Sequence, residues 1–271
     1  MSVKPSGRGQ NDELRVMPNL RMEEEVAVKK ALKIAFVLLG LMLIGVSWPA
    51  WQMYQEIRKS ASEDPLVWEE DIVELEAVTR GQCPPETCVV FVGSSSIRLW
   101  DTLAKDMSPM RVIRHGFGGA KLNDIVYYAP RLVNDYRPRA VVVFAGTNDI
   151  DPRARKDPAV LLESYQAFVS VVDEAIPDLP IYYIGITPSP LRWSVWPVAQ
   201  EANRLIKEWS DTRNNLHFID TSGVLLNDDG KPDDENYVID GLHLSDKGYG
   251  RWTAVIRPRL IAEIGAVRQE Q

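Results

Sequence analysis

The fold of this chain is decided by Val89-Val90-Phe91-Val92-Gly93-Ser94-Ser95-Ser96. The first four residues are apolar and mostly β-branched, which is typical of a strand buried in a parallel sheet. The run passes into a turn of small residues, and Ile97-Arg98-Leu99-Trp100 then has the pattern of a helix opening. This order predicts a hydroxyl group at the carboxyl edge of the sheet, where open α/β proteins bind ligands. Ordinary N-capping by serine is the alternative interpretation.

Two more predicted strands end in polar turns. Arg111-Val112-Ile113-Arg114 leads into His115-Gly116-Phe117-Gly118-Gly119, and the apolar run 140–145 leads into Gly146-Thr147-Asn148-Asp149. Glycine lets backbone N–H groups approach a ligand, and Asn148 offers an amide donor, so these turns contain the parts of an oxyanion hole. Taken singly, each also suits a plain turn, because Gly and Asn are usual where φ is positive.

A stretch near the C-terminus, Asp240-Gly241-Leu242-His243, supplies what a serine needs to act as a nucleophile. A neutral imidazole must take the serine proton, and a carboxylate must hold that imidazole in the right tautomer. Of the three histidines, only His243 has a carboxylate at this spacing and a helix-start pattern after it. A loop that caps local backbone groups is the alternative. Three donor-bearing turns together with an Asp/His pair favour the catalytic interpretation.

These four blocks resemble the signature of the SGNH, or GDSL-type, hydrolase family, which carries Ser, Gly, Asn and His in that order. Gly93-Ser94-Ser95 is similar to the Gly-Asp-Ser of the first block, with Ser94 in place of the usual Asp and Ser96 in place of the usual Leu. The resemblance spans about residues 66–262. It implies the nucleophile Ser95, its partners Asp240 and His243, and an oxyanion hole made of Ser95, Gly119 and Asn148.

The resemblance implies a serine esterase that hydrolyses carboxylic ester or thioester bonds without a metal or an organic cofactor. Its expected substrate is a lipid ester or an O-acylated glycan. The loop 187–193 is expected to be a rim loop in which Arg192 and Trp193 contact the substrate, and a structural Pro turn is the alternative. The net charge of −7 and the lack of a basic patch argue against nucleic acid as a partner. The competing class is a non-catalytic, envelope-anchored domain that holds a glycan or a partner protein in the same cleft.

The rest of the sequence predicts a three-layer α/β/α sandwich with a mostly parallel sheet of about five strands, flavodoxin-like as in the family it resembles. Strand patterns at 181–184 and 216–219 alternate with helix patterns at 68–79, 158–172 and 196–209. Such alternation is typical of a parallel sheet covered on both faces. The expected organisation is a cytoplasmic, disordered tail at 1–30, a transmembrane helix at 31–51, a tether at 52–65, a hydrolase domain of the SGNH type at 66–265 and a C-terminal tail at 266–271.

The predicted membrane anchor rests on the apolar run from Ile34 to Trp51, which is about long enough to cross ~30 Å of hydrocarbon. A buried core helix is the alternative. Three lysines between positions 29 and 33 precede the run, so the N-terminus is expected in the cytoplasm of a bacterium and the catalytic domain outside its inner membrane, in the periplasm. An oxidising compartment would allow Cys83 and Cys88 to pair, and two free thiols are the alternative.

Overall fold

The computed structural model describes residues 25–37, 54–152 and 156–266. It divides the chain into two compact units, residues 1–55 and residues 56–271. In the first unit, residues 25–37 are helical. Within the described ranges, no helix is both long enough and apolar enough to cross a membrane. Residues 38–51 of the predicted transmembrane helix lie outside those ranges.

Five parallel strands form the centre of the larger unit. They are β1 Cys88–Gly93, β2 Arg111–Gly116, β3 Ala140–Phe144, β4 Ile181–Ile184 and β5 Leu216–Ile219. Their order in the sheet is β2-β1-β3-β4-β5. Each strand coincides with a strand predicted from the sequence, so the predicted α/β fold with a five-stranded parallel sheet is confirmed. The order reverses between β1 and β3, and ligands of open α/β proteins bind at such a switch point.

Helices cover both faces of this sheet. They are α1 Glu69–Thr79, α2 Ser95–Arg98, α3 Leu103–Asp106, α4 Leu122–Leu132, α5 Pro158–Ala175, α6 Trp196–Ser210 and α7 Asp246–Ala266. The N-terminus of α5 has a typical helix cap. The Asp157 side chain accepts a hydrogen bond from the Ala159 N–H at 2.8 Å, and Pro158 is the first helical residue. The helix predicted to open at Ile97 begins earlier, at Ser95, and is a single turn.

The core has two halves, one on each face of the sheet. Val90 and Val92 of β1 pack on one face with residues of α1, α4 and α5, while Val89 and Phe91 pack on the other with Trp100 and Trp252. Successive strand residues point to opposite faces, which is why neighbours in sequence enter different cores. Because both faces of β1 are fully buried, the position at which the strand ends is closely fixed.

A disulfide lies at the start of β1. It joins Cys83 and Cys88, whose Cα atoms are 5.9 Å apart, and so ties the preceding loop to the first residue of β1.

His115, in β2, is fully buried. Its Nδ1 atom lies 2.7 Å from the Leu132 carbonyl oxygen, and its Nε2 atom lies 2.9 Å from the Thr79 hydroxyl. Burial lowers the pKa of His115 to about 4, so its ring is neutral at physiological pH.

Candidate active site

The turn after β1 brings Ser95 to the switch point between β1 and β3. The N–H of Ser94 donates to the carbonyl oxygen of Phe144, the last residue of β3, at 3.0 Å. A Cβ atom on Gly93 would approach that same oxygen to 2.2 Å, so this close approach of the two strand ends requires glycine. Ser95 itself is only 9% exposed, at the first residue of α2.

Ser95 contacts His243, which is 148 residues away in sequence. The Oγ atom of Ser95 lies 2.8 Å from Nε2 of His243, and Nδ1 of His243 lies 2.6 Å from Oδ2 of Asp240. An ionised carboxylate can only accept, so Nδ1 carries the proton and the lone pair of Nε2 faces the serine hydroxyl. The three side chains therefore form a hydrogen-bonded chain with the polarity needed to remove the serine proton.

The Asp240 carboxylate is held by its own loop. Its Oδ1 atom accepts from the N–H groups of Leu242 and His243 at 2.8 and 3.0 Å. Burial by itself would raise the pKa of Asp240, but the hydrogen bonds from the His243 ring and from these two backbone N–H groups outweigh it and hold the pKa below its usual value. Asp240 is thus ionised at neutral pH, as a partner of an imidazolium must be.

The turn after β3 positions the amide of Asn148. Its Nδ2 atom donates to the Ala120 carbonyl oxygen at 2.9 Å, and its Oδ1 atom accepts from the Arg192 guanidinium at 3.1 Å. These two contacts fix which end of the amide is the donor. Ser95 and Asn148 line the same cavity, so an acyl carbonyl at Ser95 can meet a donor held in place from both ends.

Gly119 lies next to Ala120 and so reaches the same region as Asn148. Its φ of +79° is in the left-handed region, which glycine adopts without steric cost. A Cβ atom there would approach the Cβ of Ser60 to 2.9 Å, so residue 119 also has little room for a side chain. The turn after β2 and the turn after β3 are therefore joined through the Asn148–Ala120 hydrogen bond.

Asp149 supports the Asn148 turn from within the core. Its side chain is 1% exposed, and it accepts from the Leu122 N–H at 3.0 Å and from the Lys156 ammonium at 3.2 Å. Burial raises the pKa of Asp149, and the nearby Lys156 opposes that shift. No role is predicted for Asp149 from the sequence, although an acidic residue directly after Asn148, at the end of a buried strand, is a signal that could have indicated one.

Arg192 and Trp193, the two residues of loop 187–193 that were predicted to contact the substrate, have different surroundings. The Arg192 guanidinium donates to the Thr147 carbonyl oxygen as well as to Asn148, and it lies 3.4 Å from Asp151. Trp193 stacks on Trp196, with ring centroids 6.4 Å apart. Arg192 thus lies at the site while Trp193 packs beside it, and substrate contact by either residue stays a prediction.

Asn148 lines two separate cavities. The first, beside the nucleophile, has a volume of only about 10 Å³ and is lined by Ser94, Ser95, Ser96, Phe144, Thr147, Asn148, Thr187, Ser189 and Leu242. The second measures about 370 Å³ and includes residues of segment 57–63, which sequence analysis assigned to a tether. No sequence pattern marks that segment as part of a site, because only the folded chain brings it to Asn148.

The model of the GDSL-like lipase/acylhydrolase family matches residues 79–251, which is well over half of the chain and includes all four blocks. The chain belongs to this family. It is accordingly an enzyme that hydrolyses ester bonds, as the sequence predicted. No curated protein sequence matches the chain.

Solved structures of this GDSL-type chain's relatives agree on the fold. A GDSL-like lipase from Bacteroides thetaiotaomicron has a TM-score of 0.60 at 20% identity, covering 74% of this chain and 100% of its own. A carbohydrate esterase of family 3 from Talaromyces cellulolyticus has a TM-score of 0.53 at 19% identity, covering 66% and 99%. The lipase/acylhydrolase from Enterococcus faecalis has a TM-score of 0.52 at 20% identity, covering 65% and 96%. Identities this low show a shared fold and leave the substrate open.

Proposed function

We propose that this protein is a serine esterase that works through an acyl-enzyme on Ser95. The Ser95 hydroxyl attacks the acyl carbonyl carbon while Nε2 of His243 takes its proton. His243 then gives that proton to the departing alcohol, and the carbon–oxygen bond breaks. Asp240 holds the ring in its tautomer and offsets the charge that the ring acquires. Water, activated by the same His243, hydrolyses the acyl-enzyme and regenerates Ser95.

The carbonyl oxygen becomes negative in both steps, and three donors are assigned to it. They are the Ser95 N–H, the Gly119 N–H and the Asn148 amide. Support for Asn148 comes from its fixed orientation, since a donor already held in place needs no reorganisation when the charge develops. The expected substrates are lipid esters or O-acylated glycans.

The observation that carries this proposal is the hydrogen-bonded chain from Ser95 through His243 to Asp240. A fluorophosphonate probe followed by peptide mapping tests it directly. We expect one label, on Ser95, and loss of p-nitrophenyl acetate hydrolysis in proportion to labelling. A protein that takes no label and hydrolyses no ester would instead be the non-catalytic binding module, and a label on Ser94 or Ser96 would show that the register of the turn is wrong.

We also propose that a single N-terminal helix anchors the protein in the inner membrane of a bacterium, with the catalytic domain in the periplasm. Its support is the apolar run from Ile34 to Trp51 and the lysines that precede it. A reporter enzyme that is active only outside the cytoplasm, fused after Gln271, should be active. Removal of residues 1–55 should release an active enzyme from the membrane fraction. An inactive reporter on a membrane-bound fusion would reverse the orientation, and full-length protein found in the soluble fraction would exclude the anchor.

A further inference from the structure

Two buried hydroxyl groups beside the nucleophile have no assigned role. They belong to Thr147 and Ser189, and both residues line the small cavity that Ser95 also lines. Ser189 is only 3% exposed, and the hydroxyl oxygen of Thr147 is buried although the residue as a whole is half-buried. Within the ranges that the structure describes, neither oxygen has a hydrogen-bond partner. Because an unpaired buried hydroxyl is costly, a polar group is expected to bind in this cavity.

The cavity has room for one small polar group. Its volume of about 10 Å³ is close to the minimum that holds a single water molecule. The hydroxyls of Thr147 and Ser189 can each donate and accept, as a water molecule can, whereas an alkyl group would leave both unpaired. Gly119, one of the donors assigned to the carbonyl oxygen of the substrate, is not among the lining residues. The group that binds here is therefore distinct from that oxygen.

Arg192 holds both hydroxyl-bearing residues through their backbones. Its guanidinium donates to the Thr147 carbonyl oxygen, and its N–H donates to the Ser189 carbonyl oxygen at 3.2 Å. The same guanidinium donates to Asn148 at 3.1 Å. Thr147 and Ser189 are thus fixed together with the proposed oxyanion donor, so little ordering is needed when a ligand binds between them.

The loop that carries Ser189 packs against the catalytic loop 240–243. The Leu191 N–H donates to the Gly241 carbonyl oxygen at 2.9 Å. Leu242, from the catalytic loop, lines the cavity together with Ser189. The two loops therefore enclose the cavity together, next to the residue that is proposed to act as the general base.

A water molecule in this cavity would meet the requirements of the second half of the reaction. The acyl-enzyme is broken by a water that contacts the acyl carbonyl carbon and can give a proton to Nε2 of His243. Ser95, which would carry the acyl group, lines the cavity, and its Oγ atom lies 2.8 Å from that Nε2 atom. A water here is close to both the acyl group and the base.

We propose that the hydroxyl groups of Thr147 and Ser189 hold the water molecule that hydrolyses the acyl-enzyme. This inference rests on the proposed acyl-enzyme on Ser95. The water oxygen bonds to the acyl carbon while one of its protons passes to Nε2 of His243. The bond from that carbon to the Ser95 oxygen then breaks, and the proton moves to the serine. Thr147 and Ser189 transfer no proton; they are positioning residues for deacylation and have no role in acylation.

The test separates the two half-reactions of p-nitrophenyl acetate hydrolysis on full-length protein. Release of p-nitrophenol reports acylation, and intact-protein mass spectrometry after rapid quenching reports how fast the acetyl group leaves Ser95. In Ser189→Ala and in Thr147→Val, we expect deacylation to slow roughly tenfold, so that more acetyl-enzyme accumulates at steady state. Because kcat/KM reports acylation alone, it should stay at the wild-type value.

Two further variants serve as controls. Thr147→Ser keeps the hydroxyl and should deacylate at nearly the wild-type rate. Ser164→Ala removes a buried hydroxyl that already has a partner, since it donates to the Val160 carbonyl oxygen at 2.9 Å in α5. It should change neither half-reaction.

The outcomes separate this inference from the proposed function. A wild-type protein that releases no p-nitrophenol would contradict the esterase itself. An active wild type with Ser189→Ala and Thr147→Val variants that accumulate no more acetyl-enzyme would overturn the assigned water site alone. A fall in kcat/KM with unchanged deacylation would also overturn it, because the two hydroxyls would then act on substrate binding or acylation.

Discussion

The turn that carries Asn148 and the turn that carries His243 are proposed to serve one reaction, but they are built in opposite ways. The first is supported by Asp149, whose side chain is 1% exposed and reaches Leu122 and Lys156 in the interior. The second holds Asp240, 43% exposed, mainly through the backbone of its own loop. An oxyanion donor is useful only if it is already in place, whereas a general base needs its tautomer and its reach to the nucleophile. The Asn148 turn therefore needs contacts with the buried core, whereas hydrogen bonds within its own loop are sufficient for the His243 turn.

The largest expected effect concerns His243, carried by the second of these turns, and the Ser95 hydroxyl that it faces. Ser95→Ala and His243→Ala should each lower kcat/KM for p-nitrophenyl acetate by roughly 10⁴-fold or more, because no other group can attack or take the proton. The melting temperature of each variant should stay near that of the wild type. Ser96→Ala, one residue further along the same turn, is the control and should keep most of the activity. Full activity in Ser95→Ala would refute the assigned nucleophile.

Two aspartates allow the two turns to be compared directly. Asp149→Ala should lower the free energy of unfolding by about 3 kcal/mol, because it leaves the Leu122 N–H and the Lys156 ammonium without their buried acceptor. Asp240→Ala should cost less than about 1 kcal/mol of stability, as usual for a surface position, and yet remove most of the activity. Urea unfolding measures both. Equal losses of stability would contradict the difference between the turns.

Asn148→Ala tests whether the buried turn presents an oxyanion donor. We expect kcat to fall roughly a hundredfold or more with little change in KM, because the hydrogen bond strengthens as negative charge develops. Steady-state kinetics with p-nitrophenyl acetate would measure this. A change confined to KM would mean that Asn148 binds the substrate in its ground state.

The smallest effect is expected at Arg192, through its contact with Asn148. Lysine can keep the ion pair with Asp151 but cannot hold Thr147 and Asn148 with a planar fork of donors. Arg192→Lys should lower kcat roughly tenfold and should add nothing further to Asn148→Ala in the double variant. Arg204→Lys, on the exposed surface of α6, is the control. A change in KM alone would support the prediction that Arg192 contacts the substrate.

The sequence predicted the strands and the catalytic blocks because both depend on local signals. An apolar, β-branched run such as Val89–Val92 must be buried on both faces wherever it lies, and small residues are needed where the chain turns sharply. The rule that parallel strands end at one edge of the sheet predicted that the catalytic blocks share that edge. The short α2 helix was misplaced by two residues, which is the usual size of error at helix ends.

What the sequence determined by itself is therefore the class of chemistry: an ester hydrolase whose proposed nucleophile and whose Asp/His pair lie in separate blocks of an α/β domain. The tertiary structure decided how the site is supported and bounded. Asp149 and Lys156 meet across seven residues of chain, and Lys121 meets Glu63 across 58. Such pairs carry no periodic or motif signal, because each member alone suits a solvent-exposed charge. Only the packing of residues 56–65 against the catalytic body places part of a predicted tether in the wall of a cavity that Asn148 also lines.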